Sequence, residues 1–194
     1  MQHVGTQTIE TDRLILRRFT VDDAPAMFRN WAGDPQVTEY LIWQAYADVR
    51  GVAEYLRSVA EQYDNPTFYE WAIVLKETGE PIGSIGSYNL RESIEAIEVG
   101  YCIGRRWWGQ GIVPEALRAV TAFLFRTVGA NRIEAKHDVR NPASGVVMAK
   151  CGMTREGVLR QAARYNRGIC DVCMYSILRE EFFKISEQRE ACAP

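Results

Sequence analysis

The feature that constrains this chain most is a strand-like run ending at Ile103, followed by Gly109-Gln110-Gly111 and a long amphipathic stretch. Val113, Leu117, Val120 and Leu124 recur at the spacing of one helix face. Pro114 sits in the first turn, where no backbone donor is lost, and Gly129 closes the segment. A helix entered through glycines offers unpaired N–H groups and a partial positive charge to an anion, and the glycines let that anion approach the backbone closely. The same glycines also suit a plain turn, so both readings stand on the motif alone. A dinucleotide fingerprint is disfavoured: it needs Gly-x-Gly-x-x-Gly within a parallel unit, and position 114 is Pro.

Helical and strand patterns alternate around this core. Residues 14–19 read as a strand, and a helix capped by Asp22 or Asp23 runs through Trp31. A second helix over 48–62 carries Val52, Tyr55, Leu56 and Val59 on one face. Strands are expected at 69–76, 81–88 and 94–103, with Thr78-Gly79-Glu80 as a turn, and their short joints suggest an antiparallel meander. Residues 132–139 alternate like a strand with two distinct faces. A short helix at 142–150 and strands at 154–164 and 171–178 follow. At 194 residues, one domain over 1–194 is the working expectation, with the polar ends 1–9 and 186–194 as candidates for disorder.

Lys plus Arg at 23 against Asp plus Glu at 25 give a formal net charge of −2, which argues against duplex nucleic acid as a partner. The polar N-terminus lacks a secretory apolar core, and no apolar run reaches the length of a membrane span. Five cysteines without such a signal favour reduced thiols and a cytoplasmic location. Cys170 and Cys173 form a lone C-x-x-C. With His3 and His137 as the only histidines, a zinc site is disfavoured and no metal is expected.

Several runs resemble the ribosomal-protein (Rim-type) branch of the GNAT N-acetyltransferases. They are Thr11-Asp12-Arg13-Leu14-Ile15-Leu16-Arg17, Glu98-Val99-Gly100-Tyr101, Trp108 through Leu117, Asn141-Pro142-Ala143-Ser144, Lys150-Cys151-Gly152-Met153 and Glu156-Gly157. Each is modest, but they follow the family's order from Thr11 to about Phe182. The resemblance implies an α/β fold of α+β type: a mixed, mostly antiparallel sheet flanked by helices, with a splayed central strand pair. It also implies transfer of an acetyl group from acetyl-CoA to a primary amine, by direct attack in a ternary complex.

For the cosubstrate, the implied contacts are Ile103, Trp108, Gly109, Gln110, Gly111, Ile112, Val113, Asn141 and Ser144. Trp108 stands where the superfamily pattern has Gln or Arg, and Val113 where it has Gly or Ala. Glu98 is favoured as general base, with a structural role as its alternative and His137 and Asp138 as rivals. The usual tyrosine acid is replaced by Met148, which leaves Ser144 as proton donor or, alternatively, as a helix cap. A carboxylate sometimes used as base in this branch is Ala163 here.

The acceptor site is expected at Tyr40, Trp43 and Tyr165, with Tyr46, Arg160, Arg164, Arg167, Glu39 and Asp171 close by. Aromatic residues in such a loop also serve as buried anchors. A protein N-terminal α-amine, a polyamine, an amino acid or an antibiotic all fit as acceptor. A CoA-binding module without turnover is the competing class, and a homodimer stays open.

Overall fold

The run Glu70–Leu75 reads EWAIVL, apolar on both sides of its alternation after the first residue, so it has to be covered on both faces. The computed structural model, which describes residues 1–191, places it as the third of eight strands. These are β1 (Ile9–Glu10), β2 (Leu14–Arg17), β3 (Glu70–Leu75), β4 (Pro81–Arg91), β5 (Ala96–Ile103), β6 (Arg132–Asp138), β7 (Thr154–Tyr165) and β8 (Gly168–Leu178). One sheet holds them in the order β1-β2-β3-β4-β5-β6-β8-β7. Every neighbouring pair is antiparallel except β5 and β6.

Helices α1 (Ala24–Met27), α2 (Pro35–Thr38), α3 (Val49–Gln62), α4 (Ile112–Phe123), α5 (Pro142–Lys150) and α6 (Arg179–Ala191) flank the sheet. Trp71 and Ile73 join a cluster with Leu117 and Val120 of α4 and Met148 of α5, while Ala72 and Val74 join Val52, Leu56 and Val59 of α3 on the opposite face. The α3 boundary is chemical: Asp48 accepts from the Gly51 N–H at 3.1 Å.

The amino-terminal residues, candidates for disorder on their polarity, are packed. Gln2 N–H donates to Val128 O at 2.8 Å, His3 Nδ1 lies 2.9 Å from the Tyr69 hydroxyl, and Thr6 Oγ1 donates to Phe68 O at 3.0 Å. Ser186 onward is helical as far as Ala191, within α6, and residues 192–194 lie outside the described residues. No helix among the described residues is long and apolar enough to cross a membrane.

Two irregularities shape the middle of the sheet. β5 and β6 pair only through Ala96↔Arg132, Ile97↔Ile133 and Glu98↔Glu134, then diverge, so the strand ends beyond Glu98 and Glu134 form the two arms of a V. In β4, which runs three residues past the expected end, the register with β5 shifts between Ser87 and Asn89, leaving Tyr88 on a bulge.

Candidate active site

After β5 the chain makes a single 3-10 turn, Arg105–Trp107, and enters α4 through Gly109 (φ 75°) and Gly111 (φ 74°). Both conformations belong to the left-handed region that glycine adopts without strain. Gly111 is the N-cap, and no side chain caps the helix, so its first amides have no capping partner. The loop is braced from the far end of the sheet. Thr11 Oγ1 and Arg13 N–H both donate to Glu115 Oε1, at 2.6 and 3.0 Å. Arg13 Nε donates to Glu115 Oε2 at 2.7 Å, and Arg13 Nη1 reaches Gln110 O at 3.0 Å. The runs at Thr11 and Glu115 are therefore parts of one contact. Glu115→Ala should cost about 2 kcal/mol, because it deletes three hydrogen bonds to a charged, partly exposed acceptor, and urea unfolding measures this. Trp108 is mostly exposed, and its indole donates to Ile103 O at 2.9 Å.

Between the arms of the V lies a cavity of about 290 Å³, lined by residues that include Tyr40, Trp43, Glu98, Asn141, Ser144 and Tyr165. The geometry thus brings both candidate catalytic residues together with all three candidate acceptor residues. Glu98 is buried, and its Oε1 forms an ion pair with Lys136 Nζ at 2.9 Å. The rivals are tied down. Asp138 receives three bonds from the Arg140 guanidinium, which hold its carboxyl at about 2, and the His137 Nδ1–H donates to Asp138 O at 2.7 Å. His137 Nε2 is buried without a hydrogen-bond partner among the described residues.

Ser144 is the third residue of α5, after Pro142 and Ala143. Asn141 holds the N-cap position, so Ser144 does not cap the helix. Its hydroxyl pairs at 3.0 Å with the Tyr101 hydroxyl, which itself donates to Ser144 O at 3.0 Å. Asn141 makes no capping bond with its side chain, which leaves its amide toward the cavity. Met148 is buried, also at the cavity wall.

The roof is the segment after α2, clasped by the tip of the β7–β8 hairpin. Asn166 Nδ2 donates to Thr38 O and Trp43 O at 2.8 and 2.7 Å, and Asn166 N–H donates to Leu41 O at 3.0 Å. Arg167 pairs with Glu39 and lies over the Tyr40 ring. Burial pushes the Tyr165 hydroxyl up to about 12. Tyr46 packs away from the cavity between Trp43 and Tyr55, at ring separations of 5.9 and 6.3 Å. Arg160 and Arg164 are exposed on β7, and Asp171 accepts from Gln161 N–H at 2.8 Å.

Four residues of this site escape sequence reading: Tyr88, Tyr101, Lys136 and Asn166. The alternation of 132–138 does put Lys136 on one face with Asp138, and the parallel pairing at Glu98↔Glu134 brings that face beside Glu98. Cys170 and Cys173 are free thiols with separate partners: Cys173 Sγ accepts from Arg155 Nε at 3.0 Å, and Cys170 Sγ faces Ala163 O at 3.7 Å.

Comparison with known proteins agrees with this geometry. The domain family described as "Acetyltransferase (GNAT) domain" matches residues 13–154. The N-acetyltransferase p20 of Bacillus licheniformis, itself uncharacterized, is 30% identical over 91% of this chain and 98% of its own length. The ribosomal protein uS5-alanine N-acetyltransferase of Escherichia coli (strain K12) is 28% identical, covering 77% of this chain and 79% of that protein. A crystal structure from T. thermophilus, described as that of an acetyltransferase, superposes with a TM-score of 0.80 at 26% identity, covering 95% of this chain and 96% of that one.

Proposed function

Because the chain belongs to the GNAT acetyltransferase family, we propose that it moves the acetyl group of acetyl-CoA to a primary amine, by direct attack with both substrates bound. The observation that carries this reading is the continuity of the site. An uncapped helix N-terminus behind two left-handed glycines opens onto unpaired strand ends, and these lead into a cavity walled by Tyr40, Trp43 and Tyr165 with Glu98 at its base.

The residues fit the cosubstrate. A Cβ on Gly109 would meet nothing within 4 Å, so the loop surface is open where a pyrophosphate needs backbone donors. Trp108, Gly109, Gln110, Gly111, Ile112 and Val113 would hold the pyrophosphate, and Ile103 and Asn141 the amide-rich arm, as an added strand edge is held. When bound, acetyl-CoA supplies an acetyl group activated as a thioester. Glu98, already engaged by Lys136 through Oε1, offers its other oxygen to orient the amine. The Ser144 hydroxyl, whose proton rests on the Tyr101 oxygen, turns that proton toward the departing sulfur.

Ser144→Ala should therefore lower kcat roughly tenfold or more with acetyl-CoA affinity unchanged. Its melting temperature should fall only slightly, since no cap is lost and the Tyr101 hydroxyl keeps its bond to the residue 144 carbonyl. Full turnover in the folded variant would remove Ser144 from the chemistry.

For the acceptor we favour an exposed protein α-amine of the ribosomal-protein type. Support comes from the uS5-alanine relative and from a cavity of about 290 Å³, large enough for the first residue or two of a peptide. Incubation with labelled acetyl-CoA and two pools, one of peptides with free N-termini and one of polyamines, amino acids and aminoglycosides, tests this by mass spectrometry. Label confined to the second pool makes the enzyme a small-molecule acetyltransferase. CoA binding with label in neither pool makes the chain a CoA-binding module.

A further inference from the structure

Five carboxylates are buried among the described residues: Asp23, Glu70, Glu98, Glu134 and Asp138. Four of them meet a cation: Asp23 meets Arg17, Glu98 meets Lys136, Glu134 meets Arg91 and Arg132, and Asp138 meets Arg140. Glu70, 6% exposed, has no ion pair among the described residues. An uncompensated buried carboxylate is costly to keep, so its surroundings need an explanation.

The backbone of Glu70 is pinned: its N–H donates to Thr6 Oγ1 and its carbonyl accepts from the Tyr63 hydroxyl, both at 3.0 Å. Across the sheet Glu70 stands opposite Gly86, and Gly86 opposite Gly100. A Cβ on Gly86 would come within 1.9 Å of Glu70 Oε2, and a Cβ on Gly100 within 2.6 Å of the Tyr88 ring. The two glycines thus clear a path. The carboxyl lies over Gly86, and the next position along the row, Gly100, lines the cavity beneath Tyr88.

The titratable and polar groups around the carboxyl are Ser84 and Tyr88 from β4, Cys102 from β5, Tyr55 from α3 and Tyr63 just after it, none of them a cation. Burial raises Glu70 to about 8, against the opposing bond from Ser84. The Glu70 charge, with burial, in turn raises the Tyr88 phenol well above its ordinary value.

We propose that Glu70 receives the proton of the acceptor amine, handed on by the Tyr88 hydroxyl at the cavity edge; the proposal rests on the acetyl-transfer reading above. The bound ammonium gives one proton to the Tyr88 oxygen while Tyr88 gives its own to a Glu70 oxygen. The amine becomes neutral, Glu70 becomes a carboxylic acid, and Tyr88 is unchanged. When the N–C bond forms and the C–S bond breaks, the second N–H proton balances the departing sulfur through Ser144. Glu70 returns its proton to solvent after product release.

The test measures kcat/KM against pH with acetyl-CoA and either an alanine-initiated peptide or spermidine, in wild type, Glu70→Gln, Glu70→Asp and Tyr88→Phe. Folding of each variant is verified by the rise in melting temperature that CoA causes. Wild-type kcat/KM should climb with pH through about 8 and level off. Glu70→Gln should lose roughly 10²-fold, along with the climb. Glu70→Asp should keep a displaced climb, and Tyr88→Phe should lose at least about tenfold, with CoA affinity intact. An unchanged climb and rate in folded Glu70→Gln overturns the relay and leaves acetyl transfer standing. If that variant does not fold, unchanged turnover in Tyr88→Phe overturns it instead. A wild type that binds CoA and acetylates neither amine overturns both readings.

Discussion

Gly111→Val should weaken CoA binding by about 10² to 10⁴-fold while leaving the sheet folded. Gly111 holds φ 74°, where a β-branched residue is strained by at least ~1–2 kcal/mol, and the loop relieves that strain by rotating the amides that face the ligand. Two hydrogen bonds to a charged phosphate, each contributing about 1.5–3 kcal/mol, account for the expected range. Crowding is not the cause: the nearest atom to a Cβ at this position is Arg13 Nη2, at 3.7 Å. Gly111→Asn is the control, because asparagine enters the left-handed region readily, and it should keep most of the affinity. Calorimetric titration with CoA reads both variants, and equal affinities for wild type and the folded valine variant would place the pyrophosphate elsewhere.

Glu70→Gln should make the protein more stable, by an amount that grows with pH. At pH 4 both folded and unfolded carboxyls are largely protonated, and the exchange is close to neutral. Above the ordinary value of 4.5 the unfolded chain releases its proton, while the folded chain keeps it until about 8. Across that window the unfolded state binds fewer protons, so the wild type loses stability as pH rises, by up to about 1.4 kcal/mol per unit. Above about 8 the loss stops growing. Glutamine has no proton to lose and follows none of this. Urea unfolding of both proteins at pH 4, 6, 8 and 9 should show the curves diverging and then running parallel. A constant offset across the series would mean that Glu70 ionises as an ordinary carboxylate.

Periodic segments were legible because their burial is written in local spacing. The faces of α4 and α3 and the alternation of β6 each depend on residues within a few positions of one another. The α6 helix was not, since its carboxyl-terminal half is polar and its main anchors, Phe182 and Ile185, only become a face against the cluster that contains Phe125. The glycine loop before α4 could be found for the same reason that α4 could. Glu70 could not: a lone charge opening an apolar strand resembles a solvated strand end, and what buries it is α3 on one side and glycines 16 and 30 positions later. Asn166 reads as an ordinary turn residue, and its role exists only where the hairpin meets a loop 128 positions earlier.

That meeting bears on how such a chain acquires a new acceptor. The carbonyls of Thr38, Leu41 and Trp43 are all satisfied by the single residue Asn166. Exchanging residues 38–43 for those of a relative, with the hairpin left in place, sets a foreign loop against a turn shaped for the old one. Exchanging the hairpin tip alone strands the same carbonyls. Transplanted together, the two segments carry their own wall and their own latch onto the rest of the fold. On the acceptor site proposed above, acceptor preference is a property of a matched pair of loops, and directed changes to it succeed or fail as a pair.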